Sequence, residues 1–207
     1  MSYLALSRRI AEYLVTRTNA HVGEDVLAYA VEVLFLNILS VILALLLAHW
    51  AKVLLETLFC LGTVAVLRFF AGGAHSASAA RCTIVTGSVF PSLGFVAQRI
   101  AALSPAAAGR LPVVACVLGL IAMTMFAPVD SPAAPIISRQ RRRRLKSGSI
   151  ITVALLSTVA LVLGNSALRA SISLGILWSG FILTPAAHKL FCIIDSLNLQ
   201  ERGGVRN

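Results

Sequence analysis

The chain has 207 residues, of which 58% are hydrophobic and only 13% charged, and its mean hydropathy is +0.88. A soluble domain carries about 25% charged residues, so this composition excludes an ordinary water-soluble globular protein and indicates a single integral membrane domain over residues 1–207. The net charge of +10 would suggest nucleic acid in a soluble protein. In a membrane protein basic residues fix topology and contact anionic lipid headgroups, so we expect no nucleic-acid partner.

The first segment, residues 1–23, is predicted to contain an amphipathic helix. Apolar residues recur at helical spacing between Tyr3 and Thr18, and charged residues occupy the other side. This pattern fits a helix lying in the membrane interface, and it fits an ordinary helix packed on the membrane domain equally well.

Six apolar stretches follow within residues 24–192, and several have the ~17–20 residues that suffice to cross hydrocarbon. We place them at Val26–His49, Val53–Phe70, Cys82–Leu103, Leu111–Ala127, Ser149–Asn165 and Ser171–Leu190. The fourth and fifth are short, so one of them could be re-entrant. The sequence therefore predicts an all-α membrane protein with about six transmembrane helices and an N-terminal interfacial helix.

Basic residues orient this bundle. If the N-terminus is cytoplasmic, the inner segments hold 14 of the 18 lysines and arginines. The outer side keeps Lys52, Arg99, Arg110 and Arg169. Because positive charge accumulates on the cytoplasmic side, we expect both termini there, with residues 193–207 as a cytoplasmic tail and residues 128–148 as a basic inner loop.

The junction between the second and third spans carries the residues best suited to chemistry. Gly72 and Gly73 end a helix, and His75 and Cys82 follow at the predicted cytoplasmic surface. Cysteine catalysis uses the thiolate, which needs a base and a positive environment. Cys82 opens a helix beside Arg81, and His75 could act as the base.

Geometry limits this hypothesis. A straight helix would separate Cys82 from His75 by ~10 Å, so the chain between them must turn back for a proton to transfer. A cysteine in an apolar protein is often only a small hydrophobic residue, the interpretation that we favour for Cys60 and Cys116. Cys192 is structural or reversibly acylated. The cysteine spacing indicates neither a disulfide framework nor a metal site, and we expect no cofactor.

Other charged residues have two interpretations each. Arg68 is either a topology anchor or a charged helper of the reaction, and Asp130 is either a turn residue or a partner that orients His75. Glu32 lies inside the first span, where acidic residues are costly and usually functional. The basic run either contacts anionic lipid or attracts an acidic peptide. The residues with a predicted substrate-binding role are Glu32 and Asp130 and, from the basic run, Arg141, Arg142, Arg143, Arg144 and Lys146.

Several motifs resemble the accessory gene regulator protein B (AgrB) family. They are Arg68-x-x-x-Gly72-Gly73-x-His75 followed by Cys82, Ala127-Pro128-Val129-Asp130-Ser131-Pro132-x-x-Pro135-Ile136 before a basic cluster, and Tyr29-Ala-Val-Glu32-x-x-x-x-Asn37-Ile38. The likeness covers most of the chain, including its length, span count and motif order.

The resemblance implies a bacterial membrane cysteine endopeptidase that processes a quorum-sensing propeptide. It assigns the catalytic cysteine and histidine to Cys82 and His75, and a supporting arginine and glycine to Arg68 and Gly73. It implies cleavage through a thioester on Cys82, followed by closure of a thiolactone or lactone ring. The expected partners are a propeptide with an amphipathic N-terminus and an acidic C-terminal tail, anionic lipids, and a second copy of the chain.

The competing hypothesis is a small transporter or channel without peptidase chemistry, in which Glu32 would lie in a translocation path. No internal two-fold repeat is visible, although many transporters have one. An assembly partner without chemistry is a further alternative. Loss of peptide cleavage in Cys82 and His75 variants would separate the enzyme from both.

Overall fold

The computed structural model describes residues 24–73, 79–129 and 138–196, and the regular structure in these ranges is helical throughout. Its helices are α1 (Glu24–Trp50), α2 (Leu54–Ala71), α3 (Ala79–Leu103), α4 (Pro105–Phe126), α5 (Arg139–Val162), α6 (Ser166–Phe181) and α7 (Pro185–Ser196). The all-α prediction is confirmed for this part of the chain. The predicted helix Tyr3–Thr18 lies outside the described residues.

Four helical segments are long and apolar enough to cross a membrane: Leu54–Ala71, Arg81–Leu103, Pro105–Phe126 and Arg139–Val162. The helices α6 and α7 pass the same test together, but they are bent by 80° at the break between them. In α1 the apolar stretch Leu34–Trp50 is shorter. Length and composition thus give four or five candidate spans among the described residues, and a sixth stays a prediction.

The structure corrects the sixth predicted span, Ser171–Leu190. It is not one helix, because α6 ends at Phe181 and α7 begins at Pro185. Proline lacks a backbone N–H and disfavours a helical residue before it, so the chain changes direction here. The fourth and fifth predicted spans, which looked short, belong to unbroken helices of 22 and 24 residues, so the expectation that one of them is re-entrant is wrong on length, and the bend lies at the last span instead.

The basic run is also placed differently from its prediction as a loop. It forms the first turns of α5, which begins at Arg139 after the side chain of Ser138 accepts a hydrogen bond from the Arg141 N–H. Arginine and lysine favour helices, and a serine cap satisfies one of the free N–H groups at the helix start. The positive charges therefore extend the membrane helix beyond its apolar part.

Small side chains fill the inside of the bundle, and large apolar ones cover much of its outside. The buried residues of α4 recur at helical spacing and are Ala108, Pro112, Ala115, Gly119, Ala122 and Met123. On the same helix Val113, Val117 and Ile121 are about half exposed. Lipid is as apolar as leucine, so membrane helices gain from close packing through small residues.

Helix α6 occupies the centre and packs against α2, α3, α4 and α5, whereas α1 packs mainly on α3. Four consecutive α6 residues, Ala170 to Ser173, are buried, as expected of a helix surrounded on all sides. Gly175 of α6 lies so close to α2 that an added Cβ would be 3.1 Å from the Cys60 carbonyl oxygen.

The helix ends form two groups. The carboxyl ends of α2, α4 and α6 lie with the amino ends of α3 and α5, which we call the double-glycine end after Gly72 and Gly73. An added Cβ at Gly148 of α5 would be 2.6 Å from a ring carbon of Phe70, which shows how closely α5 meets α2 there. The opposite end holds the turns around Lys52, Ser104 and Gly164.

Candidate active site

Two consecutive glycines terminate α2 in a conformation that other residues rarely adopt. Gly72 has a φ of 72° and Gly73 a φ of 145°, and the Gly72 N–H donates a hydrogen bond to the Arg68 carbonyl at 3.0 Å. A Cβ at Gly72 would lie 2.9 Å from the Val129 carbonyl oxygen. The turn therefore needs glycine at Gly72 for its backbone angle and for its close neighbour.

Two distant parts of the chain hold this turn in place. The Val129 N–H donates a hydrogen bond to the Ala71 carbonyl at 3.0 Å, which fixes the start of the α4–α5 connection against α2. The side chain of Ile182, just after α6, packs against Gly73, where an added Cβ would be 3.0 Å from Cδ1. The position of Gly73, from which the chain continues to His75, is therefore fixed by these contacts.

Cys82 lies in the first turn of α3, and Arg68 lies in the last turn of α2. Both side chains are half-buried, and both line one cavity of about 20 Å³, with room for about one water molecule. Arg68 and Cys82 also interact electrostatically. The structure therefore brings the predicted charged helper and the predicted nucleophile together.

The remaining wall of this cavity, which we call the Cys82 cavity, is almost entirely apolar. Thr86, one turn after Cys82, adds a hydroxyl. The apolar side chains are Val85, Val89, Phe90, Trp178, Ile182 and Phe191. Such a wall limits the contact of Cys82 with bulk water and leaves the Arg68 charge less screened than in water.

The other cysteines lie in different surroundings. Cys60 is buried in the middle of α2, Cys116 is half-buried on α4, and Cys192 is exposed on α7. All four are free thiols. None of these three lines the cavity that contains Arg68.

Three predicted site residues cannot be placed by their side chains. His75 and Asp130 lie outside the described residues. Val129, which precedes Asp130, lies against Gly72, and Gly73, two residues before His75, lies against Ile182. Glu32 lies on α1, but its side chain is not described. No cluster of metal-ligating side chains occurs within the ranges that the structure describes.

The predicted substrate-binding cations lie on α5 at the double-glycine end. Arg141, Arg142, Arg143 and Arg144 are exposed, and Lys146 is half-buried. One full turn of helix directs them around the axis, so they form a charged collar and not a single flat patch. They are separate from the Cys82 cavity, where Arg68 is the cation among the described lining residues.

Sequence reasoning did not identify the aromatic wall formed by Trp178 and Phe191. Trp178 lies in an apolar stretch in which a tryptophan carries no distinguishing signal, and Phe191 follows Pro185 on the short helix α7. Pro185 is the one signal that could have placed a bend here and thus moved Phe191 toward the bundle.

Comparison with known proteins adds independent information. The family model described as Accessory gene regulator B matches residues 7–183. An AgrB-like protein 2 of Clostridium perfringens is 29% identical over 204 residues, which cover 92% of this chain and 95% of the relative. An AgrB-like protein of Listeria innocua is 24% identical over 188 residues, covering 89% of this chain and 90% of the relative. No solved structure matches the chain.

Proposed function

Because the chain belongs to the accessory gene regulator B family, which suggests a role in processing the agr quorum-sensing peptide, we propose that it is a membrane cysteine endopeptidase. It cleaves the C-terminal part of an autoinducer propeptide and promotes closure of a thiolactone or lactone ring. The observation that carries this proposal is the shared cavity of Cys82 and Arg68 beside the double-glycine turn.

The first chemical step forms an acyl-enzyme. The His75 imidazole takes the proton of the Cys82 thiol, and the sulfur attacks a backbone carbonyl carbon of the propeptide. The peptide C–N bond then breaks, and His75 returns the proton to the departing amine. The C-terminal part of the propeptide leaves, and the N-terminal part stays bound to Cys82 as a thioester.

The second step closes the ring and restores the enzyme. A cysteine or serine side chain within the bound peptide attacks the thioester carbonyl, and the Cys82 sulfur leaves and regains a proton. Exchange of one thioester for another costs little free energy, whereas water would hydrolyse the intermediate. The apolar wall of the Cys82 cavity supports this step because it limits the access of water.

Arg68 supports the chemistry by its charge. Its guanidinium, which lines the same cavity as the Cys82 sulfur, stabilises negative charge on that sulfur. Ile182 supports the arrangement from the opposite side, since it contacts Gly73 and also lines the Cys82 cavity. His75 follows Gly73 by two residues, which a chain spans in at most about 7 Å.

We assign the active site to the cytoplasmic side of a bacterial cell membrane. The double-glycine end also carries the basic turns of α5, and positive charge marks the cytoplasmic side. Arg141 to Arg144 would attract the acidic tail of a propeptide and contact anionic lipids, two compatible uses. Asp130 orients His75 in this scheme, Glu32 contributes to peptide binding, and a second copy of the chain is the expected partner.

Covalent capture tests the proposal. The purified full chain is mixed with a synthetic propeptide, quenched in acid, and examined by mass spectrometry of the Cys82 peptide. A thioester adduct on Cys82, absent from Cys82→Ser and His75→Ala proteins that retain their melting temperature, is the expected result. Cleavage that persists in Cys82→Ser, or peptide flux without cleavage in reconstituted vesicles, would reject the endopeptidase in favour of another nucleophile or a transporter.

A further inference from the structure

The wall of the Cys82 cavity comes from two sets of helices. Helices α2 and α3 supply all of its polar groups, Arg68, Cys82 and Thr86, together with the apolar Val85, Val89 and Phe90. Trp178, Ile182 and Phe191 come from α6, α7 and the bend between them. The broken helix pair therefore supplies the part of the wall surface that lies outside the helices bearing Arg68 and Cys82.

The bend is what brings Phe191 to this surface. Residues Leu183, Ala187 and Phe191 recur every four positions, and each is at most 8% exposed. On the same helix Leu190 is 44% exposed and Ile193 is 56% exposed. Helix α7 thus turns one apolar edge toward the bundle, with Phe191 at its cavity end, and keeps the other edge outside.

We propose that Trp178 and Phe191 form the subsite for the side chain of the acyl residue, the propeptide residue whose carbonyl Cys82 attacks. This inference rests on the proposed endopeptidase function. The Cβ of the acyl residue is three bonds from the attacking sulfur once the thioester has formed, so its side chain must occupy space next to Cys82. The space enclosed next to Cys82 is the cavity that Trp178 and Phe191 line.

The lining defines the chemical class of this side chain. It is apolar, because a charged group facing Trp178 and Phe191 would lose its hydration without gaining a partner there. The free space between the lining side chains is about 20 Å³, so a larger acyl side chain enters only as Trp178 and Phe191 adjust, and the subsite limits size as well as polarity. Trp178 and Phe191 are accordingly residues that determine specificity.

A substrate panel tests the subsite on the full chain in lipid nanodiscs. Propeptides that differ only at the acyl residue carry alanine, leucine, phenylalanine or aspartate, and kcat/KM is measured for each. For the native chain we expect leucine to exceed aspartate by about 100-fold, and Phe191→Ala or Trp178→Ala to raise the phenylalanine-to-leucine ratio by about 10-fold. Leu190→Ala, an exposed neighbour of Phe191, should leave both ratios unchanged. Equal kcat/KM for the leucine and aspartate substrates would overturn the subsite. So would a Phe191→Ala chain in which kcat/KM falls by the same factor for every substrate.

A second measurement does not depend on peptidase activity. In a chain whose other cysteines are replaced, the rate at which Cys82 reacts with benzyl methanethiosulfonate is compared with the rate for the methyl reagent. Phe191→Ala and Trp178→Ala should raise the benzyl-to-methyl ratio about 10-fold, while Leu190→Ala should not change it. An unchanged ratio in all variants overturns the subsite. A changed ratio in a chain that cleaves no propeptide rejects the proposed function and leaves the size-selective pocket standing.

Discussion

Among single residues, Gly72 is the most tightly constrained part of the candidate site. Its positive φ and its nearness to Val129 each disfavour a side chain. Gly62, on the same helix, has helical surroundings and nothing within 4 Å of an added Cβ. These two glycines therefore provide a matched pair, in which one substitution alters the turn and the other only fills open space.

Gly72→Ala is expected to lower kcat/KM at least about 10-fold, because alanine at the Gly72 backbone angles, φ 72° and ψ −143°, costs about 1–3 kcal/mol and its Cβ would displace Val129. The turn can relieve that contact only by moving the chain that leads to His75. Propeptide cleavage and thermal unfolding in detergent would measure both effects. Gly62→Ala should retain activity and gain up to about 1 kcal/mol of helix stability. Similar losses in the two variants would show that the turn has no special role.

Removing the Arg68 charge should make Cys82 less reactive. In a chain with Cys82 as its only cysteine, we expect Arg68→Gln to slow alkylation by iodoacetamide about 10-fold at neutral pH, since the thiolate is the reactive form. Arg68→Lys keeps a charge and should lose less. Arg110→Gln, exposed near the opposite end of the bundle, is the control. An Arg68→Gln rate equal to the native one would assign Arg68 to topology alone.

The residues of the site differ in how far the sequence could identify them. Cys82 and Arg68 belong to a motif whose glycines and charges contrast with an apolar chain, so they could be singled out. Trp178 and Phe191 could not, because an apolar wall is made of the same residue types that face lipid. Only the bend between α6 and α7 distinguishes them, and it depends on packing as well as on Pro185.

At the scale of elements, the hydrophobic runs predicted that a helix exists more accurately than they predicted its first residue. Helix α4 starts at Pro105, before the predicted Leu111, because Ser104 caps it and accepts a hydrogen bond from the Ala107 N–H. The alanine-rich residues in between have modest hydropathy but high helix propensity. The start of α5 was missed for the same reason. Its basic residues lower the local hydropathy, although arginine and lysine form helices well.

The charged collar on α5 yields a prediction about substrate capture. Replacing Arg141, Arg142, Arg143 and Arg144 by glutamine should raise KM for an acidic-tailed propeptide about 10-fold at low salt and change kcat little. The difference from the native chain should shrink as salt screens the charges. Arg99→Gln, an exposed cation on α3, is the control. If KM rises equally for a propeptide with a neutral tail, the charged collar does not bind the acidic tail and contacts only lipid.

At the scale of the whole molecule, the orientation of the bundle can be tested directly. In a chain without native cysteines, Gln140→Cys would mark the double-glycine end and Gly164→Cys the opposite end; Gln140 and Gly164 are both exposed. We expect a membrane-impermeant maleimide to label Gly164→Cys in intact cells and Gln140→Cys only after permeabilisation. The reverse pattern would place the Cys82 cavity outside and remove the cytoplasmic assignment.

The central position of α6 bears on how the protein assembles during synthesis. A nascent chain that ends after α5 lacks the helix against which α2, α3, α4 and α5 pack, and it also lacks Trp178, Ile182 and Phe191. Its Cys82 would be inserted without the wall that excludes water. Translation proceeds from the N-terminus, so the Cys82 cavity is completed only after α6 and α7 have left the ribosome. Under the proposed function, truncated products would carry Cys82 without its apolar enclosure, and unfinished chains would not cleave the propeptide prematurely.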